Sequence, residues 1–197
     1  MRTCAVIVAG GRSSRMGREK AFELVGGRSI LERIITRLGD QVSAVAINAN
    51  GDAGRFRATG LSVFSDIRSD AGTPLAGLHA ALSYATRQGF EAVLTVPSDA
   101  PFLPQDLFSR LAGLGRHAAI AASGGQAHYL TGLWSSQLLH DVVPALAQPR
   151  LPRLQDWAKQ CGAAVAEWPA TPYDPFFNVN TQQELAEAER IAAEFGL

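Results

Sequence analysis

Short apolar runs, each closed by turn residues and separated by helical patterns, recur along this chain and restrict its fold more than any other feature. The runs fall at Thr3–Val8, Val42–Asn48, Leu61–Phe64, Ala92–Val96 and Ala118–Ala122, with later ones at His128–Trp134 and Ala164–Trp168. Such alternation predicts βαβ units and an α/β fold: three layers, with a mostly parallel central sheet covered by helices. Ser29-Ile30-Leu31-Glu32 reads as a capping box opening a helix with Ile30, Ile34 and Leu38 on one face. Pro74 and Pro104 start two more helices, and Thr181-Gln182-Gln183-Glu184 caps a last one carrying Leu185, Ala188 and Ile191.

The length of 197 residues fits one domain over the whole chain. Eighteen basic residues balance eighteen acidic ones, so no broad positive field exists for nucleic acid or an anionic membrane. Anion binding must therefore be local. Cys4 and Cys161 stand in unrelated contexts and read as buried small hydrophobes. The first apolar run is too short for a signal sequence, and no run approaches the ~18 residues of a membrane span, so a cytoplasmic location is expected.

In open parallel sheets, ligand groups collect where strands end and helices begin. That rule selects the stretch from Gly10 to Lys20 after the first run, Asn48 after the second, Asp66 after the third and Asp99 after the fourth. Ala9-Gly10-Gly11-Arg12-Ser13-Ser14-Arg15-Met16-Gly17-Arg18-Glu19-Lys20 joins paired glycines, hydroxyls and four cations, a composition suited to wrapping a polyphosphate. It matches neither a Walker A nor a dinucleotide-binding pattern. Backbone N–H groups from Gly10 to Ser14, with Arg15 and Lys20, would hold the phosphates; an ordinary turn with solvated arginines is the alternative.

Asp99 lies between Pro97 and Pro101, a rigid carboxylate that suits Mg²⁺ or, equally, caps a following helix. Asn178 and Asn180 share one side of an extended segment, where their amides could serve a ligand or metal shell, or cap the last helix. His79, His117 and His140 read as packed or solvated. His128, before the strand-like Tyr129–Trp134, is the histidine with a place near substrate.

Together, Ala9-Gly10-Gly11 through Arg15-Met16-Gly17 to Lys20, Pro74-Leu75-Ala76-Gly77-Leu78, Pro97-Ser98-Asp99-Ala100-Pro101 and Asn178-Val179-Asn180-Thr181 resemble the molybdenum cofactor guanylyltransferases, the MobA-like nucleotidyltransferases. The resemblance covers nearly the whole chain. It implies a Rossmann-like domain that transfers GMP from GTP to the terminal phosphate of molybdopterin, releasing pyrophosphate with the help of Mg²⁺. By position, it assigns the main chain of Val8, Ala9, Gly10 and Gly11, with Lys20, to GTP, and Asn48 and Asp66 to the nucleoside. Asp99 would bind metal and nucleotide, with Arg15 and Lys20 as the catalytic cations. Asn180 falls to the metal or pterin side, and Asn178 and His128 to the pterin side. Proteins that deliver molybdopterin or receive the product are further partners it implies. Four positions depart from the family pattern: Glu19 for aspartate, Thr73 for glycine, Ser98 for cysteine and Tyr129 for proline. A related transferase with another base or acceptor, such as a molybdopterin cytidylyltransferase or sugar-phosphate nucleotidyltransferase, and a noncatalytic pterin carrier are the competing readings.

Overall fold

The computed structural model describes residues 1–9, 20–67 and 72–197. The apolar runs become β1 (Thr3–Val8), β4 (Ala44–Asn48), β5 (Ser62–Phe64), β6 (Ala92–Pro97), β7 (Ala118–Ser123), β8 (Gln126–Ser135) and β9 (Ala164–Trp168), and a short hairpin after β1 supplies β2 (Leu24–Val25) and β3 (Arg28–Ser29). The helices are α1 (Ile30–Gly39), α2 (Pro74–Arg87), α3 (Leu107–Gly113), α4 (Leu139–Leu146), α5 (Leu154–Gln160) and α6 (Gln182–Phe195).

Seven strands form one sheet in the order β5-β4-β1-β6-β8-β7-β9. The pairings β5–β4, β4–β1, β1–β6 and β7–β9 are parallel, whereas β8 runs against both β6 and β7. The mostly parallel sheet expected from the sequence is present, with β8 as its one reversed strand. Gly124 and Gly125 explain the reversal: at φ +54° and +79° they make the two-residue turn, open to few residues but glycine, that joins β7 to β8.

Side chains alternate across the sheet and so make two cores. Ala5 and Ile7 of β1 face the layer built from Ile30, Ile34 and Leu38 of α1, Leu107 and Leu111 of α3, and Ala188 and Ile191 of α6. Cys4, Val6 and Val8 face the opposite layer, with Leu75, Leu78 and Leu82 of α2, Val142 of α4 and Trp157 of α5. This period of two in a strand covered on both faces is why β1 reads as an unbroken apolar run. Burial pushes the Cys4 thiol up to about 12, as befits a packed side chain without nucleophilic character.

The Ser29 cap is as expected: its hydroxyl accepts from the Glu32 N–H at 3.2 Å while Glu32 receives the Ser29 N–H at 2.9 Å. Three expectations are corrected. The helix expected at Pro104 begins at Leu107, because residues 104–106 form turn instead. The second strand starts at Ala44, two residues later than read. The sixth run starts two residues earlier than read, at Gln126, so His128 lies inside β8 and not at its first position. The β2–β3 hairpin and helices α4 and α5 are additions that the apolar periodicity did not announce.

Candidate active site

The strand registers bring the selected residues to one edge. Val8 stands opposite both Asn48 and Pro97, and Asn48 opposite Phe64, so β1, β4, β5 and β6 end flush. From β1 the chain builds outward through β4 to β5 on one side, then crosses to β6 on the other. The crevice outside β1 and β6 is therefore the topological switch point, where open α/β sheets bind ligands.

On the β4–β5 side, Asn48 is fully buried at the end of its strand. Its Nδ2 donates to Asp66 Oδ1 at 3.0 Å, and Asn50 Nδ2 donates to Asp66 Oδ2 at 2.8 Å. The Asp66 N–H returns a bond to Asn50 Oδ1 at 2.9 Å, and Arg55 Nη2 holds the Asn50 carbonyl at 2.9 Å. Asn48 and Asp66 are thus together, as expected, with Asn50 as the partner sequence reasoning missed. The spacing of Asn48 and Asn50 around Ala49, the same alternation that singled out Asn178 and Asn180, was the signal for it.

Asn48 Oδ1 is buried without a hydrogen-bond partner, an acceptor available to an N–H or O–H donor. Gly77 in α2 lies beside it: a Cβ there would stand 2.9 Å from Val8 Cγ1 and 3.2 Å from Asn48 Oδ1. Glycine in a helix interior costs about 1 kcal/mol relative to alanine, and here it allows α2 to approach the strand ends. Thr73 caps this helix, its hydroxyl accepting the Leu75 N–H at 3.4 Å. Ala9, just past β1, donates its N–H to the Asn48 carbonyl at 2.8 Å, which continues the β1–β4 ladder to the start of the glycine-rich stretch. Gly10, Gly11 and Arg15 lie outside the described residues.

At the end of β6 the arrangement differs. Lys20 Nζ donates to Asn180 Oδ1 at 3.0 Å, across 160 residues of sequence. The Val179 N–H donates to the Asp99 carbonyl at 2.9 Å, so the segment before α6 is tied to the turn after β6. Val179 is fully buried, whereas Asn178 and Asn180 on either side of it are exposed, in keeping with the shared side read from sequence. Glu184 anchors the same segment by accepting from the Asn180 N–H at 2.8 Å and the Thr181 hydroxyl at 3.0 Å. Asp99 Oδ1 is buried with no hydrogen-bond partner. Burial pushes the Asp99 carboxyl above its ordinary pKa, with the nearby Lys20 charge pulling it down and Glu184 pushing it up. Lys20, Asp99 and Asn180 therefore meet, though the pairing seen is Lys20 with Asn180.

Further along the edge, His128 Nε2 lies 2.8 Å from Ser123 Oγ at the end of β7. Ser123 Oγ in turn donates to Asp174 Oδ1 at 2.7 Å. Neither Ser123 nor Asp174 was singled out from the sequence, since a Ser-Gly-Gly turn and a polar residue between prolines look like ordinary loop chemistry. Among the described residues no three His, Cys, Asp or Glu side chains gather as a metal cage. His117 and His140 are exposed, and His79 is packed in α2, as expected.

A buried carboxylate with one unpartnered oxygen near a lysine, at the switch point of a doubly wound sheet, is suited to binding a polyphosphate with its counter-ion. The family model for the MobA-like NTP transferase domain matches residues 5–187. The chain belongs to this family. It is a nucleotidyltransferase. A molybdenum cofactor guanylyltransferase of Nitrobacter hamburgensis is 43% identical over 198 residues, covering 97% of this chain and 95% of the relative. One of Rhodobacter capsulatus is 42% identical over 192 residues, covering 96% of each. Among solved structures, a molybdopterin-guanine dinucleotide biosynthesis protein A from Archaeoglobus fulgidus superposes with a TM-score of 0.72 at 19% identity, covering 98% of this chain and 99% of that one. This MobA-like chain thus shares its sheet with a structure whose sequence has diverged widely. No helix among its described residues is long and apolar enough to cross a membrane.

Proposed function

We propose that this MobA-like transferase moves GMP from GTP to the terminal phosphate of molybdopterin, forming molybdopterin guanine dinucleotide and pyrophosphate in the cytoplasm. One observation carries the reading: Lys20, Asp99 and Asn180 converge from distant parts of a chain 43% identical to a named molybdenum cofactor guanylyltransferase. Val8 and Ala9, continued by Gly10 and Gly11, would line the triphosphate with main chain, and Asn48 and Asp66 would receive the nucleoside. Arg15 joins Lys20 as a second cation for the phosphates.

The residues present fit Mg²⁺. Asp99 Oδ1 is a hard oxygen without a partner, and Asn180 Oδ1 keeps a lone pair beside the one that accepts from Lys20. When bound, the ion supplies Lewis-acid stabilisation of charge on the α-phosphate and the departing pyrophosphate. Lys20 adds a fixed positive charge to the same region, where it needs no reorganisation during the reaction. A phosphate monoester loses its second proton near pH 6, so the nucleophile is already anionic at neutral pH and no general base is required. The protein's task is to align two anions and offset their repulsion. Asn178 and His128 would face the pterin.

The test is pyrophosphate release from a panel of GTP, CTP and ATP, with and without molybdopterin and Mg²⁺. Release with GTP that requires both molybdopterin and Mg²⁺ is expected. Preferential turnover of CTP, or binding of molybdopterin without release from any nucleotide, overturns the assignment.

A further inference from the structure

The row Ser123, His128 and Asp174 contains the residue types of a nucleophilic triad in the wrong order. A hydroxyl has one hydrogen, and Ser123 directs it to Asp174 Oδ1 at 2.7 Å. The 2.8 Å contact between Ser123 Oγ and His128 Nε2 must then be made by a ring N–H donating to the serine oxygen. In a triad the serine proton faces the imidazole and the carboxylate orients the ring from its other nitrogen. Here the serine proton faces the carboxylate, so the imidazole does not activate Ser123 as a nucleophile.

What the row does accomplish is to fix a ring. Asp174 is itself held, its Oδ1 accepting the Phe176 N–H at 2.9 Å. The Phe176 ring lies 4.8 Å from the His128 ring, and Trp168 meets Phe176 edge-on at 5.3 Å. His128 is thus restrained by packing on one side and by a directed hydrogen bond at Nε2. A neutral imidazole with its proton on Nε2 has a bare acceptor at Nδ1. That nitrogen has no hydrogen-bond partner among the described residues, on a side chain that is only half-buried. Burial pushes the His128 pKa down, against the upward pull of Asp174 and Glu167, which favours the neutral ring.

The position suits a second substrate. Thr95 Oγ1 donates to the Leu130 carbonyl at 2.8 Å, and His128 lies two residues from Leu130 toward the edge at which Pro97 leads to Asp99. Asn48 lies at that edge on the opposite side of β6, with β1 intervening. The nucleoside end and His128 therefore flank Asp99.

We propose that Ser123 and Asp174 are positioning residues that hold His128 as the Nε2–H tautomer, so that its Nδ1 accepts a hydrogen bond from a ring N–H of the pterin. This rests on the acceptor assigned under the proposed function. A reduced pterin carries N–H donors on its heterocycle, and a bare imidazole nitrogen distinguishes them from carbonyl acceptors.

Nitrogen NMR of the full-length protein, labelled at histidine and free of substrate, tests the tautomer. His128 should carry its proton on Nε2 at neutral pH, and Ser123→Ala should convert it to a mixture. The same variant should raise KM for molybdopterin about two- to threefold, the reciprocal of the fraction left in the competent tautomer, with KM for GTP and kcat unchanged. His128→Asn, whose amide oxygen can occupy the place of Nδ1, should keep KM for molybdopterin within about threefold of wild type, whereas His128→Gln should not. A proton on Nδ1 in the wild type, or Ser123→Ala with unchanged tautomer and KM, overturns the proposal. Loss of the tautomer without a change in KM overturns the role given to Nδ1. If the wild type releases no pyrophosphate from GTP and molybdopterin, the functional reading fails and takes that role with it. The tautomer, read without substrate, then stands or falls on its own.

Discussion

The two sides of the strand-end crevice are built on opposite principles. At β4 and β5, Asn48, Asn50 and Asp66 bond to one another, so the carboxylate already has two amide donors. At the end of β6, Asp99 keeps an oxygen without a partner, and its carboxyl is pushed upward by burial. A satisfied carboxylate fixes the amides around it and leaves Asn48 Oδ1 as an open acceptor that can discriminate; an unsatisfied carboxylate stores electrostatic free energy that a bound ion or substrate releases. Recognition is assigned to the first side, group transfer to the second.

The largest effect is expected on the unsatisfied side. Lys20→Ala should lower turnover by at least ~100-fold with the fold intact, since it removes the cation proposed to offset charge on the transferring phosphate. A folded variant with near-native kcat would break the comparison at its root. Asp99→Asn should abolish the dependence of turnover on Mg²⁺ along with most activity, yet raise Tm at neutral pH. The sign follows from linkage: a carboxyl whose folded pKa lies above its unfolded value destabilises the native state once ionised. That destabilisation disappears as pH falls through the folded pKa toward the unfolded one. The Tm advantage of the asparagine variant should shrink over the same interval, and a constant difference from acid to neutral pH would refute the linkage.

On the satisfied side the effects are smaller and fall on nucleotide affinity. Gly77→Ala introduces a methyl 2.9 Å from Val8 Cγ1 and 3.2 Å from Asn48 Oδ1; overpacking of about 1–3 kcal/mol, offset by about 1 kcal/mol of helix propensity, leaves a net loss of up to about 2 kcal/mol in denaturant unfolding. KM for GTP should rise in the same variant. Asn50→Ala removes one amide from Asp66 and should raise KM for GTP about five- to tenfold with kcat nearly unchanged. A loss confined to kcat would mean that this network serves chemistry and would merge the two sides into one.

The satisfied side was also the easier to read in sequence. Asn48 ends one apolar run and Asp66 lies two residues past another, and parallel pairing puts those ends in line, so a local pattern located both. Asp99 was located in the same way, but its surroundings, the Val179 N–H on its carbonyl and the Lys20 charge beside it, arrive from opposite ends of the sequence, which no local window contains. Ser123 and Asp174 escaped for a related reason: they meet His128 only because β8 turns back beside β7. The sequence held a signal for the turn that went unread: Gly124-Gly125 between two apolar stretches is a two-residue hairpin pattern. Helix α4 was hidden by Pro144, which sits inside a helix of eight residues where proline argues against one.

The bond between Lys20 and Asn180 has a consequence for the life of the molecule before it is an enzyme. During synthesis the lysine emerges early and the asparagine 160 residues later, at ~5–20 residues per second. For many seconds the nascent chain contains its nucleotide-binding strands without the segment that anchors Lys20 and braces Asp99. On the roles proposed for Lys20 and Asp99, nucleotide transfer waits for the Asn178–Glu184 segment, which is among the last parts of this sequence to be made.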